Sequence, residues 1–196
     1  MPLPWDRPDV PSAFTLEEAT RRLGACRWVE LRLYETMGGW VPSIPELDVR
    51  LAVGSACAAH AWHAEQLGQA APAPAPPAPA DDGAEALLDA VAAADGTLER
   101  LVGAYRVVVP RLVAAYTAHL NHTSAASDGP VARALGRALA DELTAWRDGE
   151  VLVQSLVVDG AAAVRAAAHQ GRLEALVAPS GGVAGPGTLL LRRAGG

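Results

Sequence analysis

Residues 19–37 read ATRRLGACRWVELRLYETM, and Ala19, Leu23, Cys26, Leu33 and Met37 recur along them at alternating threes and fours with Glu30 in their midst. That period specifies an amphipathic helix whose apolar stripe faces a core, so the pattern turns a carboxylate inward. A second stripe runs Val49, Val53, Ala56, His60, His63, Leu67, setting two imidazoles one turn apart on the packing face. A third runs Leu135, Leu139, Glu142, Trp146, Val153, again with one acid at its centre. A buried lone carboxylate is so unfavourable that it is normally paired, metal-bound or protonated. Two acids and two histidines on the inner faces of three helices therefore imply one shared polar centre.

Helix signals outside these stripes complete the layout. Thr15 and Glu18 form a capping-box pattern, which starts the first helix there, and Gly38-Gly39 are expected to stop it after Met37. Ser43 and Glu46 repeat the pattern for a second helix ending near Leu67 at Gly68. Residues 70–80 are only Ala and Pro, the composition of an extended, exposed connector, here taken as 70–82. A third helical region follows, weakly interrupted at Asp95-Gly96 and carrying Tyr105, Tyr116 and His119. Pro110 is expected to kink it and free a carbonyl near Arg106 toward a cavity. Asp128-Gly-Pro130 starts a fourth helix reaching about Val158, and Ala161–Leu176 a fifth. The expected protein is all-α, an extended segment at 1–14, a helical bundle domain at 15–176, and a flexible tail at 177–196 with a short apolar Leu189–Leu191.

Composition narrows the function. The 196 residues suffice for one domain with a substantial core, and a net charge of -6 argues against a phosphate-binding surface, so no nucleic acid is expected. All sixteen cations are Arg, a mark of GC-rich coding, and without lysine there is no Schiff-base chemistry. No apolar run approaches a membrane span, and Met1–Phe14 holds no signal-type segment, so a cytoplasmic protein off the membrane is expected. Cys26 and Cys57 fall within helix patterns and read as reduced thiols. An apolar content of 51% against 19% charged residues suggests association, as a homodimer or as a heterodimer with a related helical protein.

Several motifs then combine: Arg27-Trp-Val-Glu30, Gly38-Gly-Trp40-Val-Pro42, Trp62-His63-Ala-Glu65, Val102-Gly-Ala-Tyr105 through Pro110 to Tyr116-Thr-Ala-His119, and Asp141-Glu142 followed by Ala145-Trp146. Over residues 15–158 the chain resembles a poorly characterised bacterial group of ferritin-like four-helix-bundle proteins. The resemblance implies that fold with an additional C-terminal helix. A di-iron centre on such a bundle needs a Glu from each of two helices and Glu-x-x-His from each of the other two. Here the first helix offers Glu30, the second His60-x-x-His63, the third Tyr105, and the fourth Glu142 with Ala145 at the histidine position. That set is too small for two irons.

Two chemistries remain. With one metal, His60, His63, Glu30 and Glu142 make a set suited to non-haem Fe(II), as an oxygenase uses, or to zinc. Without a metal, which is the leading expectation, Glu30, His60, His63, Glu142 and Tyr105 act as acid and base in a displacement, cyclisation or elimination of small-molecule biosynthesis, with no cofactor. Arg27, Arg106 and Arg147, with Arg32 and Arg50 as further candidates, would hold an anionic substrate group, and Trp40 would close or stack at the cavity mouth. Against these stand plainer roles: Glu35 facing solvent, Trp28, Trp62 and Trp146 in core or interface, Tyr105 and Tyr116 as core tyrosines bonded to a buried acid, and His119, His122 and His169 solvated or capping. A polar centre of that structural kind would make the chain a non-catalytic subunit.

Overall fold

A computed structural model describes residues 13–124 and 126–185, and every regular element among them is helical. Helix α1 spans Leu16–Trp40 and is capped as expected, the Glu18 amide donating to Thr15 Oγ1 at 3.2 Å. It does not stop at Met37. Gly38 and Gly39 stay helical, with no positive φ to exploit, and the helix runs on until the Trp40 ring is buried. A 3-10 turn, Val41–Ser43, leads to α2, Leu47–Ala70.

The second capping box does not form. Ser43 Oγ donates to the Trp40 carbonyl and accepts from Arg100 Nη1, while Glu46 accepts from Thr97 Oγ1 at 3.2 Å, so both side chains fasten neighbouring elements instead. Gly68 likewise does not end α2. A Cβ there would stand 3.0 Å from the Arg27 guanidinium, which lies across the helix at that point. The Ala/Pro connector is extended but not free. Ala75 is buried, its carbonyl accepts from Arg27 Nη1 at 3.4 Å, and a Cβ on Gly24 would meet the Pro76 carbonyl oxygen at 2.7 Å, so glycine lets this strap lie directly on α1.

Helix α3, Asp82–Ala92, is capped by Asp81, and a break at 93–96 precedes α4, Thr97–Leu101. Helical dihedrals continue through a π-helical segment, Val102–Val108, into α5, Val109–Leu120. The expected proline kink is thus a π turn. The Val109 amide reaches back five residues to the Ala104 carbonyl, and Pro110, lacking an N–H, sits in the first turn of α5 where none is needed. Within the loosened segment the Val107 carbonyl accepts from Arg111 Nη1 at 2.8 Å. Helix α6, Gly129–Leu156, and α7, Gly160–Val177, follow, the latter capped by Asp159.

Helix α1 packs along α2, α2 on α6, α6 on α5, and α5 on α1, closing a ring of four long helices. Helices α3 and α7 pack on each other and on the π segment. One continuous apolar core joins these layers and takes in Val183 and Ala184, so the first described residues of the expected flexible tail are docked. Leu189–Leu191 and nearly all of segment 1–14 lie outside the described residues. No described helix is long and apolar enough to cross a membrane.

Candidate metal centre

The three helical stripes deliver their polar residues to one point. Leu23, Cys26, Leu33 and Met37 of α1, Val49, Val53 and Leu67 of α2, and Leu135 and Val153 of α6 are all buried, and the residues interrupting them, Glu30, His60, His63 and Glu142, are each no more than 1% exposed. One ligand atom from each of the four lies within 4.8 Å of all the others. His60 Nδ1 stands 2.6 Å from Glu30 Oε2 and 3.2 Å from Glu142 Oε1, and His63 Nδ1 is 3.3 and 3.2 Å from oxygens of the same two acids. The third stripe is wrong at one place. Trp146 is 38% exposed, and the buried line on α6 passes through Gly149 instead.

His63 shows what this arrangement favours. Its Nε2 lies 3.1 Å from Asp141 Oδ2; an ionised carboxylate only accepts, so Nε2 carries the hydrogen. Nδ1 is then the atom turned to the centre, an N–H while the ring is protonated and a lone pair once that proton is displaced. It has ion-pair distances to both acids yet no hydrogen bond to either, because it is aimed between them. Glu142 Oε2 is likewise buried and unpartnered. Glu30 is held from its far side by the Tyr116 hydroxyl, which donates to Oε1 in a very short contact.

The electrostatics are those of a closed, self-neutralising set. Burial presses both imidazoles down, but Glu30 and Glu142 outweigh it and hold His60 and His63 up at about 10. Burial raises Glu142, and the two imidazoles then draw it to about 2. The phenol of Tyr116 is pushed well up by burial and by Glu30, and the Cys26 thiol goes to about 12 for the same two reasons in the same order.

Tyr105, expected in the quartet, is not a member. It is buried from the middle of the π segment with its ring against the α6 backbone, so close that a Cβ on Gly149 would stand 2.1 Å from Cγ. Together with Ala52, Ala56, Ala59, Asp141, Asp148 and others it lines a cleft of about 360 Å³ between α2 and α6. Asp141 belongs both to this cleft and to His63, which makes it the link between cleft and quartet.

The arginines expected to hold an anion are engaged elsewhere. Arg106 is paired through two hydrogen bonds with Glu150, Arg147 donates to the Leu143 carbonyl and Thr144 Oγ1, Arg27 serves the connector strap, and Arg32 pairs with Asp89 and Glu35. Arg106 and Arg147 do meet, in a separate surface cleft with Trp146, Glu150 and Gln170. Trp40 lies buried at the end of α1 beneath Arg100, ten residues from Glu30. Glu35 is exposed, as expected. His122 caps the Ala118 carbonyl, but His119 and His169 are buried rather than solvated; burial and then Arg22 hold His119 down at about 4. Tyr116 takes the plainer role set out for it, a core tyrosine bonded to a buried acid, and Glu30 is that acid; the stripes gave no sign of Asp141 as partner of His63. The chain matches no family model, no curated protein and no solved structure.

Proposed function

We propose that this is a metal-dependent enzyme on a small molecule, built on a ferritin-like bundle reduced to a single divalent transition-metal site with His60, His63, Glu30 and Glu142 as ligands. One observation carries the reading: His63 is fixed by Asp141 with its Nδ1 aimed between two carboxylates rather than at either, where a cation takes the place of the ring proton. The set also fits in size and charge. Nitrogen and oxygen donors bonded at about 2.0–2.2 Å to one ion stand about 3 Å apart around it; the imidazole–carboxylate contacts run from 2.6 to 3.3 Å, Glu30 turning a different oxygen to each imidazole, and one donor atom from each residue lies within 4.8 Å of the others. Two carboxylates neutralise a divalent charge, and a mixed N/O set suits iron, manganese or zinc. A second metal has no ligands here, since Tyr116 occupies the far side of Glu30 and Ala145 stands where a histidine would be needed.

Such an ion supplies Lewis-acid or one-electron chemistry when bound. The chain's own residues do the rest. Asp141 fixes the His63 tautomer, Tyr116 orients Glu30, and the closed apolar core excludes water from the centre. A second reading keeps the centre metal-free as an acid–base site, and it is favoured by the balance of two raised imidazoles against two acids. Against it, His63 Nδ1 and Glu142 Oε2 stand buried without the hydrogen bonds through which an acid–base pair would pass a proton.

The deciding experiment is metal content after reconstitution with Fe(II), Mn(II) or Zn(II) and removal of excess. Close to one equivalent per chain, lost in His63→Ala and in Glu142→Gln, is the expected result. No retained metal in the parent protein would overturn the reading in favour of the acid–base one.

A further inference from the structure

The cleft between α2 and α6 has a chemical character that the quartet alone does not explain. Its walls are short and apolar, with Ala52, Ala56 and Ala59 on α2 and Ala145 and Gly149 on α6, and they leave a narrow slot at the small end of ligand-binding volumes. Its charged lining residues are Asp141 and Asp148, and it has no cationic one. These two acids are seven residues apart on α6, hence on one face and about 10 Å apart along the axis. Tyr105 supplies the independent sign of a ligand. It is 3% exposed, it forms part of the cleft wall, and its hydroxyl has no hydrogen-bond partner among the described residues. The ring is enclosed while the hydroxyl stays open to the cleft, so its partner there is a ligand or water.

We infer that this cleft is the substrate site of the adjoining centre and that it takes a slender aliphatic diamine, with one ammonium at Asp141, the other at Asp148, the methylene chain along the alanine walls, and the Tyr105 hydroxyl accepting from an ammonium. A chain of four or five methylenes between two ammonium groups spans the interval between the two carboxylates once a hydrogen bond is added at each end. Asp141 then faces two ways, toward substrate and toward His63, so an ammonium held there lies next to the quartet. The expectation of an anionic substrate is replaced, because the guanidiniums that would bind one are paired or turned elsewhere.

The inference rests on the proposed enzyme only for the word substrate; the binding itself is independent of metal. The test is calorimetric titration of the full chain, metal-loaded and metal-free, with 1,5-diaminopentane, 1-aminopentane, 1-pentanol and pentanoate as probes. The diamine should bind about tenfold or more tightly than the monoamine, by the worth of one further charge-assisted hydrogen bond, with the alcohol and the acid weaker still. Asp148→Asn, at an exposed position, should remove that preference without loss of fold, and Tyr105→Phe should weaken the diamine severalfold while metal content stays unchanged. Equal affinity for pentanoate or pentanol, or a diamine preference untouched by Asp148→Asn, would overturn the inference. Diamine binding by a protein that retains no metal would sustain the cleft and sink the metal centre; metal retention without diamine binding would do the reverse.

Discussion

At the scale of single residues, the centre is governed by who holds the holders. Tyr116 is fully buried and gives its proton to Glu30, so Tyr116→Phe leaves one carboxylate oxygen in the core without its donor. An unsatisfied buried acceptor costs about 1–3 kcal/mol, and the urea midpoint should fall accordingly while metal stoichiometry is kept, because no ligand has been removed. A loss of metal with unchanged stability would instead make Tyr116 a ligand. His119 offers a pH-dependent counterpart away from the quartet. Its imidazole sits against Phe14 in the packed interior with its pKa lowered to about 4 by burial first and Arg22 second. Between pH 4 and the usual 6.5 the unfolded chain therefore holds a proton that the folded one refuses. That contribution to stability is complete above 6.5 and is lost as pH falls through the window, on the order of 3 kcal/mol. Denaturant melts of the parent and of His119→Leu at several pH values check it: the parent should lose stability relative to the variant on acidification, since the other acids titrate in both, and a difference that does not change with pH would refute it.

At the scale of elements, the π segment decides which tyrosine reaches the centre. Tyr105 and Tyr116 are eleven residues apart, nearly three whole turns of α-helix, so periodicity puts them on one face. The π turn between them spends an additional residue without completing an additional turn, and the two side chains rotate apart: Tyr116 to Glu30, Tyr105 onto Gly149. This is why the quartet was legible in the sequence while the choice between its two candidate tyrosines was not. Glu30, His60, His63 and Glu142 interrupt stripes of regular period, a signal carried by each helix alone, whereas the π turn has no period of its own and the Asp141 contact depends on how α2 meets α6. The helix start at Thr15 was readable because its side chain closes the cap, and the one at Asp128 because Gly-Pro follows it, although no side-chain cap bond forms there; the caps closed by Asp81 and Asp159 were not singled out. Helix ends at Gly38 and Gly68 were misread because those glycines serve close packing against Cys57 and Arg27. Gly149→Ala tests the π placement. A methyl cannot coexist with the Tyr105 ring at 2.1 Å, so overpacking should destabilise the protein by about 1–3 kcal/mol, and Tyr105→Leu in the same chain should restore most of it. Unchanged stability in the single variant would show that Tyr105 does not lie on α6.

At the scale of the whole molecule, the quartet sits where α1, α2 and α6 converge, with α5 reaching in through Tyr116, so its state is felt by every long helix of the ring. Without metal it is an enclosed ion cluster of two imidazoles and two carboxylates, and breaking a buried cluster by removing one partner costs about 3–5 kcal/mol because the remaining charge is stranded. Glu142→Leu should thus melt well below the parent. Exchanging Glu30, His60, His63 and Glu142 together for fitting apolar residues, with Tyr116→Phe to retire the donor, strands nothing, and such replacements range from neutral to a few kcal/mol stabilising. Metal adds a term that only the intact set can express, about 2.7 kcal/mol at a free concentration one hundred times Kd. Thermal melts with and without Zn(II) or Mn(II) should therefore show three behaviours: a parent whose Tm rises with metal, a single variant that is low and unresponsive, and a fully apolar variant that is high and unresponsive. A parent that melts identically with and without metal, next to an apolar variant of equal stability, would leave the four residues as a structural network and remove the centre from the protein's chemistry.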